Sequence, residues 1–431
     1  MTATTISPTS EPASRPPLTS RLRGNTLTIV LVVLGLVIIS LARTLGDADK
    51  LTASTTIGVG LRLAIPIAMA GIGGMFAERS GTVNIGLEGM MVMGTIMAGN
   101  FGWHYGPYVA IIAGAIGGLL AGLLMSLATT TFGVNQIIAG FAINIIGAGV
   151  ARFLANTWFT GPEATAAGGS ISNSPPVDGR FPRFSLPILS NGPDLLGDIE
   201  AKGWFIISDV AGILHGLTSD VQLDTIICLC LIAIGGYVVW HTPFGLRLRS
   251  AGEKPSAAES LGVSVLSMRH AGMAISGAFA GIGGAVIVFA GANRYQEGQT
   301  VGTGFLGLAS LVFGNWMPLG VLAGAGVFGY AQGIAYSLTA SSLVLGLFLG
   351  AGIALVLVAI RATIRREFNT AIASAIVAAL AFVVYALVDE VNNQFIYMTP
   401  YVVTLVVVTI FAKRLRPPAA EGIPYFKGEQ L

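Results

Sequence analysis

Apolar residues run through this chain in blocks of about 20, the length a helix needs to cross a bilayer, with short polar turns between them. The blocks lie near 27–46, 57–77, 84–100, 107–128, 134–155, 221–240, 270–291, 318–338, 343–361, 370–388 and 395–412. They are apolar on all sides, as expected for helices surrounded by lipid or protein rather than water. A shorter apolar piece, Gly304 to Gly314, predicts a half-helix or a re-entrant segment. The pattern predicts an all-α polytopic membrane protein with about 11–12 transmembrane crossings.

Composition strengthens that reading. The 431 residues are 53% hydrophobic and only 10% charged, against about 25% charged in soluble domains. With a mean hydropathy of +0.77, this excludes an ordinary soluble enzyme and a disordered chain. A net charge of +2 leaves no basic field for nucleic acid. Cys228 and Cys230 share one apolar run and His104, His215, His241 and His270 are scattered, so neither a disulfide framework nor a metal site is expected. None of Lys50, Lys202, Lys254, Lys413 or Lys427 sits in Gly-x-x-x-x-Gly-Lys-Ser/Thr, the loop whose amides and lysine hold phosphates. No cofactor is expected in this chain.

The Ser/Thr/Pro-rich residues 1–24 read as a disordered tail. The run from Leu27 exceeds the about 7–15 residues of a signal-peptide core, so it reads as an uncleaved first span. Lys and Arg set the orientation. If Gly304–Gly314 with Asn315–Pro318 makes one crossing, Arg79, Arg247, Arg249, Lys254, Arg269, Arg361, Arg365 and Arg366 fall inside with both termini. The expected organisation is a membrane-spanning domain over 25–415, holding a long external loop over 156–220 and a cytoplasmic loop over 241–269, and a cytoplasmic tail over 416–431. Within the external loop, Ser208–Gly216 predicts a short interfacial helix with Ile213 and Leu214 toward lipid. That loop reads equally as a linker or as a docking surface for an external partner.

An internal repeat is also visible. Ala70-Gly71-Ile72-Gly73-Gly74 recurs as Ala280-Gly281-Ile282-Gly283-Gly284, and a Pro-initiated span follows each copy, at Pro107 and Pro318. The inferred topology runs the two copies in opposite directions. Inverted repeats with Gly-interrupted helices place a pathway near the bilayer midplane, which points to transport.

Two segments carry candidate chemistry. In Glu78–Met91, polar residues break an apolar helix, and exposed backbone is tolerated there only against protein or a water-filled cavity. Glu78, Arg79 and Glu88 are expected to tie the break together, since a carboxylate in the membrane must pair, protonate or face water. Asn84 is a candidate pathway residue because an amide offers donors and acceptors. Asn135, Gln136, Asn144 and Phe305 are further candidates, each with interhelical bonding or packing as the alternative. In the second segment, Pro255 suits the start of a helix and Gly262 its end. A short helix there would set Ala257, Ala258 and Leu261 on one side, able to enter a partner's groove. A solvated, positively charged loop is the alternative.

These segments resemble the permease subunits of bacterial ABC importers in the family serving branched-chain amino acids, simple sugars and nucleosides. The family's Glu-Arg-Ser-Gly-x-x-Asn-Ile-Gly-x-Glu-Gly signature matches Glu78–Gly89, and its Gly-Glu-x-Pro-x-Ala-Ala motif matches Gly252–Ala258, followed by Gly262. Gly304-Phe305 through Gly314-Asn315-Trp316-Met317-Pro318-Leu319-Gly320 is similar to a third family pattern, and Pro400-Tyr401 with Thr404 to its last span. The resemblance covers roughly 57–338 and 395–412. It departs at 343–388, where two spans are added, and in the longer external loop.

The resemblance implies a transport subunit rather than an enzyme, closest to nucleoside-type permeases. It implies an ABC ATPase subunit that binds ATP, a second homologous or identical permease, an extracytoplasmic binding protein and a bacterial inner-membrane location. Glu253, Pro255, Ala257, Ala258, Leu261 and Gly262 would form the element docking on the ATPase. A simple-sugar importer of the same family is one alternative. An ion-coupled secondary transporter is another, disfavoured because Glu88 is nearly alone among intramembrane carboxylates.

Overall fold

The computed structural model describes residues 18–186, 194–411 and 415–426. Residues 1–17 of the expected tail, 187–193 of the external loop, Lys413 and 427–431 lie outside the described residues.

The first helices are α1 (Leu18–Leu45), α2 (Ser54–Arg79), α3 (Leu87–Tyr105), α4 (Pro107–Ser126) and α5 (Gln136–Trp158). The long connection carries α6 (Pro162–Ala166), α7 (Leu195–Ala201) and α8 (Ile207–Thr218), with a two-residue strand pair, β1 (Arg183–Phe184) on β2 (Val221–Gln222). After it come α9 (Leu223–His241), α10 (Pro243–Glu253), α11 (Pro255–Ser260), α12 (Val265–Ala290), α13 (Thr303–Phe313), α14 (Pro318–Ala335), α15 (Ala340–Ile364), α16 (Phe368–Leu387) and α17 (Asn393–Phe411). Proline opens α4, α10, α11 and α14, where its missing N–H costs nothing.

Among the described residues eight helices are long and apolar enough to cross a membrane: α2, α4, α5, α9, α12, α14, α15 and α16. The apolar part of α1, Val33–Leu45, and α13 are shorter; α3 and α17 have 19 residues each. Helix α1 begins at Leu18, earlier than the expected start of the membrane domain at 25. The expected apolar block at 84–100 starts instead at Leu87, because Ser80–Gly86 leaves helical geometry. At 1.5 Å per residue, the 11 residues of α13 span about 16 Å, half of the ~30 Å hydrocarbon layer.

The repeat appears as a reciprocal crossing of α2 and α12. A Cβ on Gly73 would lie 2.6 Å from the Ser276 carbonyl oxygen and 3.2 Å from Phe279 Cβ. A Cβ on Gly283 would lie 3.0 Å from the Pro66 carbonyl oxygen and 3.3 Å from Met69 Cβ. Shifted by the repeat offset, Ser276 corresponds to Pro66 and Phe279 to Met69. The same pair of contacts therefore occurs twice, as a two-fold relation requires. The later residue of α2 meets the earlier turn of α12, and the reverse, so the helices run antiparallel. The partners are exchanged too: α12 packs along α3 and α4, and α2 along α13 and α14.

Helices α15 and α16 form an antiparallel hairpin beside the repeats. It joins them through Leu343 and Val344, clustered with Ala42, Leu51 and Ile334. In the external loop, α8 extends the expected Ser208–Gly216 helix by a few residues, with Leu214 exposed. Buried Asp209 anchors it, accepting from the Ser40 and Thr52 hydroxyls at 2.5 Å each and pairing with Arg43 at 3.0 Å.

Candidate functional site

The broken segment after α2 leads to a junction of two helix starts. Glu88 stands in the first turn of α3, and its carboxylate reaches the start of α13. It accepts from Thr300 Oγ1 at 2.5 Å, from the Gly302 N–H at 3.0 Å and from the Gly304 N–H at 2.7 Å. A helix start carries unpaired N–H donors and the positive end of the helix dipole, so a carboxylate is the side chain that suits this position. Gly304 is required for the approach, because a Cβ there would lie 2.5 Å from the Glu88 backbone nitrogen.

The candidate amides are used locally. Asn84 is fully buried; its Nδ2 donates to Ser276 Oγ at 2.8 Å and its Oδ1 accepts from the Gly86 N–H at 3.0 Å. Gln136 accepts from the Val83 N–H at 2.6 Å. Asn144 accepts from the Gly89 N–H at 2.8 Å and donates to the Ile85 carbonyl at 3.0 Å. The non-helical backbone of 80–86 is thus bonded by Gln136 and Asn144 of α5 and by Asn84 itself, whose side chain Ser276 of α12 holds in place, as a break inside a membrane requires. Asn135 caps α5 by accepting from the Ile137 and Ile138 N–H groups. Asn84, Gln136 and Asn144 thus bond between segments, and Asn135 serves its own helix. Phe305 stands apart from them, 41% exposed on α13.

At the other end of α13, the chain turns at Asn315 and Trp316, both at positive φ. Trp316 Nε1 donates to Glu78 at 2.5 Å, and Arg79 Nη2 donates to the Trp316 carbonyl at 3.3 Å. Arg79 also lies 5.1 Å over the Trp240 ring and pairs with Glu253 at 3.5 Å. The Glu-Arg pair therefore joins α2 to the second repeat copy and to the end of α10.

Helix α11 ends at Ser260, with Leu261 as its cap and Gly262 at positive φ beyond it. The three side chains expected on one outward face are divided. Ala257 and Leu261 are exposed, Leu261 at 86%, but Ala258 is 3% exposed and packs with Ala251, Val265 and Tyr425. The reason is the C-terminal segment, whose folding back over α11 had no signal in helical periodicity. Residues 415–426 run beneath the break: the Gly422 N–H donates to the Gly81 carbonyl, and the Ala420 N–H to the Gly252 carbonyl. Arg269 Nη1 donates to the Ile423 carbonyl at 2.8 Å, and the Tyr425 hydroxyl donates to Glu259. Burial pushes the Glu421 carboxyl up to about 7, against the opposing effects of a hydrogen bond with Glu78 and the charge of Arg79.

Trp316, Thr300, Glu421 and Tyr425 are thus site residues that motif reading missed. Trp316 had a signal, since it lies inside a quoted family pattern, and so did Thr300, since Thr300–Gly307 echoes Thr82–Gly89 in the repeat; Glu421 and Tyr425 had none. Among the described residues, no group of His, Cys, Asp and Glu could hold a metal ion.

Residues 56–359 match the family described as branched-chain amino acid transport system / permease component. The chain is 30% identical to the guanosine ABC transporter permease protein NupQ of Bacillus subtilis, over 85% of this chain and 95% of that protein. It is 28% identical to the nucleoside ABC transporter permease protein NupC of Lactococcus lactis, over 84% and 94%. A putative glucose ABC transporter permease of Haloferax volcanii is 27% identical over 62% of this chain and 73% of its own length. No solved structure matches. Joined to the inverted, broken-helix repeats, these matches place the chain in the branched-chain amino acid transport system permease family, as a multi-pass membrane transport subunit rather than an enzyme.

Proposed function

We propose that this protein is the membrane-spanning subunit of an ATP-driven nucleoside importer. The observation that carries the substrate class is similarity along nearly the whole length of two permeases named for guanosine and nucleosides. An ABC ATPase subunit docks at α10–α11 and supplies ATP hydrolysis, and a second permease, identical or homologous, completes the membrane unit. An extracytoplasmic binding protein delivers the nucleoside on the opposite face. The protein sits in the bacterial plasma membrane with both termini in the cytoplasm. The orientation is supported by the excess of Lys and Arg on the α10–α11 side. The hydrogen bonds around Glu88 support a structural role for it rather than ion coupling.

The test is uptake of radiolabelled guanosine by vesicles carrying the assembled importer. Uptake that stops on ATP depletion and survives collapse of ion gradients is expected. Uptake that follows the gradients instead would make this a secondary transporter. The similarity to a glucose permease favours simple sugars as the second reading, so labelled glucose and ribose belong in the same assay.

A further inference from the structure

The end of the bundle opposite α10 and α11 holds a cavity of about 550 Å³, within the roughly 300–1,000 Å³ range of small-molecule sites. Arg62 of α2, Gln332 of α14 and Tyr336 just past its end, and Tyr397 and Tyr401 of α17 line it, together with Gln299 from the segment linking α12 to α13. Thr300 and Thr303 also line it. Since Thr300 is bonded to Glu88, the cavity ends at the meeting of the two helix starts.

Three observations point to a ligand. Gln299 Nε2 is enclosed by protein and has no hydrogen-bond partner, a costly state for an amide that a turn of this side chain toward a ligand in the cavity would relieve. Val301, next but one in the chain, holds a φ of 43°, a strained conformation for a β-branched residue. The Tyr401 hydroxyl steadies it by donating to its carbonyl at 2.8 Å. The rings of Tyr336 and Tyr397 stand 6.1 Å apart at 57° and form an aromatic wall.

The chemistry of the lining selects among ligands. Arg62 is its one cation, and no carboxylate is present among the described lining residues. A zwitterionic amino acid would leave its ammonium unpaired there, which is costly in a partly desolvated site. Amides carry donors and acceptors side by side, and so do the edges of nucleobases, whose faces stack on aromatic rings.

We propose that this cavity is the permease's own substrate site and takes a neutral nucleoside. Its base lies against Tyr336 and Tyr397, and its edge bonds to the Gln299 and Gln332 amides. This rests on the reading of the protein as a nucleoside importer.

The test uses the intact importer in ATP-loaded vesicles with labelled guanosine, glucose and ribose. Gln299→Leu and Gln332→Leu should each raise the KM for guanosine about five- to tenfold, the loss of one hydrogen bond, with kcat nearly kept. Phe368→Ala, on the remote α15–α16 hairpin, should change neither. Photolabelling of the wild-type importer with 8-azidoguanosine needs no variant and should mark the peptides holding Tyr336, Tyr397 or Tyr401. Guanosine import with an unchanged KM in both glutamine variants, or label found only elsewhere, would overturn the cavity assignment and leave nucleoside import standing. Import of glucose or ribose but not guanosine, with KM raised by the same variants, would keep the cavity as the substrate site and overturn its nucleoside assignment.

Discussion

The carboxylate of Glu88, in the first turn of α3, accepts the backbone N–H of Gly304, the second residue of α13, at 2.7 Å. One side chain therefore closes the start of a helix more than 200 residues away in the sequence. Glu88→Ala would leave the Gly302 and Gly304 N–H groups without that acceptor, at about 1–3 kcal/mol for an unmet buried donor. A lower thermal midpoint and lower yield of folded permease are expected, with Glu88→Gln intermediate because it keeps one acceptor oxygen. Fluorescence-detected size-exclusion after heating measures both; midpoints equal to wild type would mean that the cap does not matter.

The two glycines at the repeat crossing should respond alike. Gly73→Val and Gly283→Val each push side-chain atoms into facing backbone already 2.6 and 3.0 Å from the first added carbon. Overpacking of this kind costs about 1–3 kcal/mol. Both variants should lose thermal stability, whereas Gly326→Val, where a Cβ meets nothing within 4 Å, should not. If only one of the pair is sensitive in the thermal assay, the crossing is not energetically reciprocal.

Substitutions on α11 should divide by facing. Ala258→Asp places a charge among Ala251, Val265 and Tyr425, and an unpaired buried charge costs several kcal/mol; it should reduce folded permease. Leu261→Asp changes a side chain that is 86% exposed, so the membrane fold should stand while ATPase co-purification and coupled hydrolysis fall. Normal co-purification and hydrolysis in Leu261→Asp would remove this helix from the coupling contact.

The C-terminal segment should loosen as pH rises. Glu421 has its carboxyl raised from an ordinary 4.5 to about 7 in the folded state. The folded form therefore holds this proton more tightly than the unfolded form. The stabilising contribution is complete below about pH 4.5 and is lost as pH rises through about 7. Hydrogen-exchange protection over 415–426, with the intrinsic pH dependence of exchange divided out, should fall between pH 5 and 8, and Glu421→Gln should flatten that response. A pH response identical to wild type in Glu421→Gln would assign the effect to another group.

Much of this arrangement could be read from the chain. Block length gave the helices, because a bilayer imposes a length that composition alone reveals, and the paired Gly-Gly motifs gave the antiparallel repeat. Glu88 was expected to be satisfied by protein because its charge is so costly in lipid. Its partners were not legible, since nothing near Thr300 or Gly302 advertises a capped helix start. The outward face assigned to Ala258 failed for a related reason. Helical spacing says which residues share a side, but the partner on that side, Tyr425, comes from a tail without periodicity.

That tail makes residues 415–426 part of a surface whose other pieces come from much earlier in the sequence. Tyr425 completes the packing of Ala258, and its hydroxyl bonds to Glu259, so the seating of α11 depends on a segment 166 residues further along the chain. A stop codon placed just before Leu415 should leave membrane insertion unchanged and abolish ATPase co-purification.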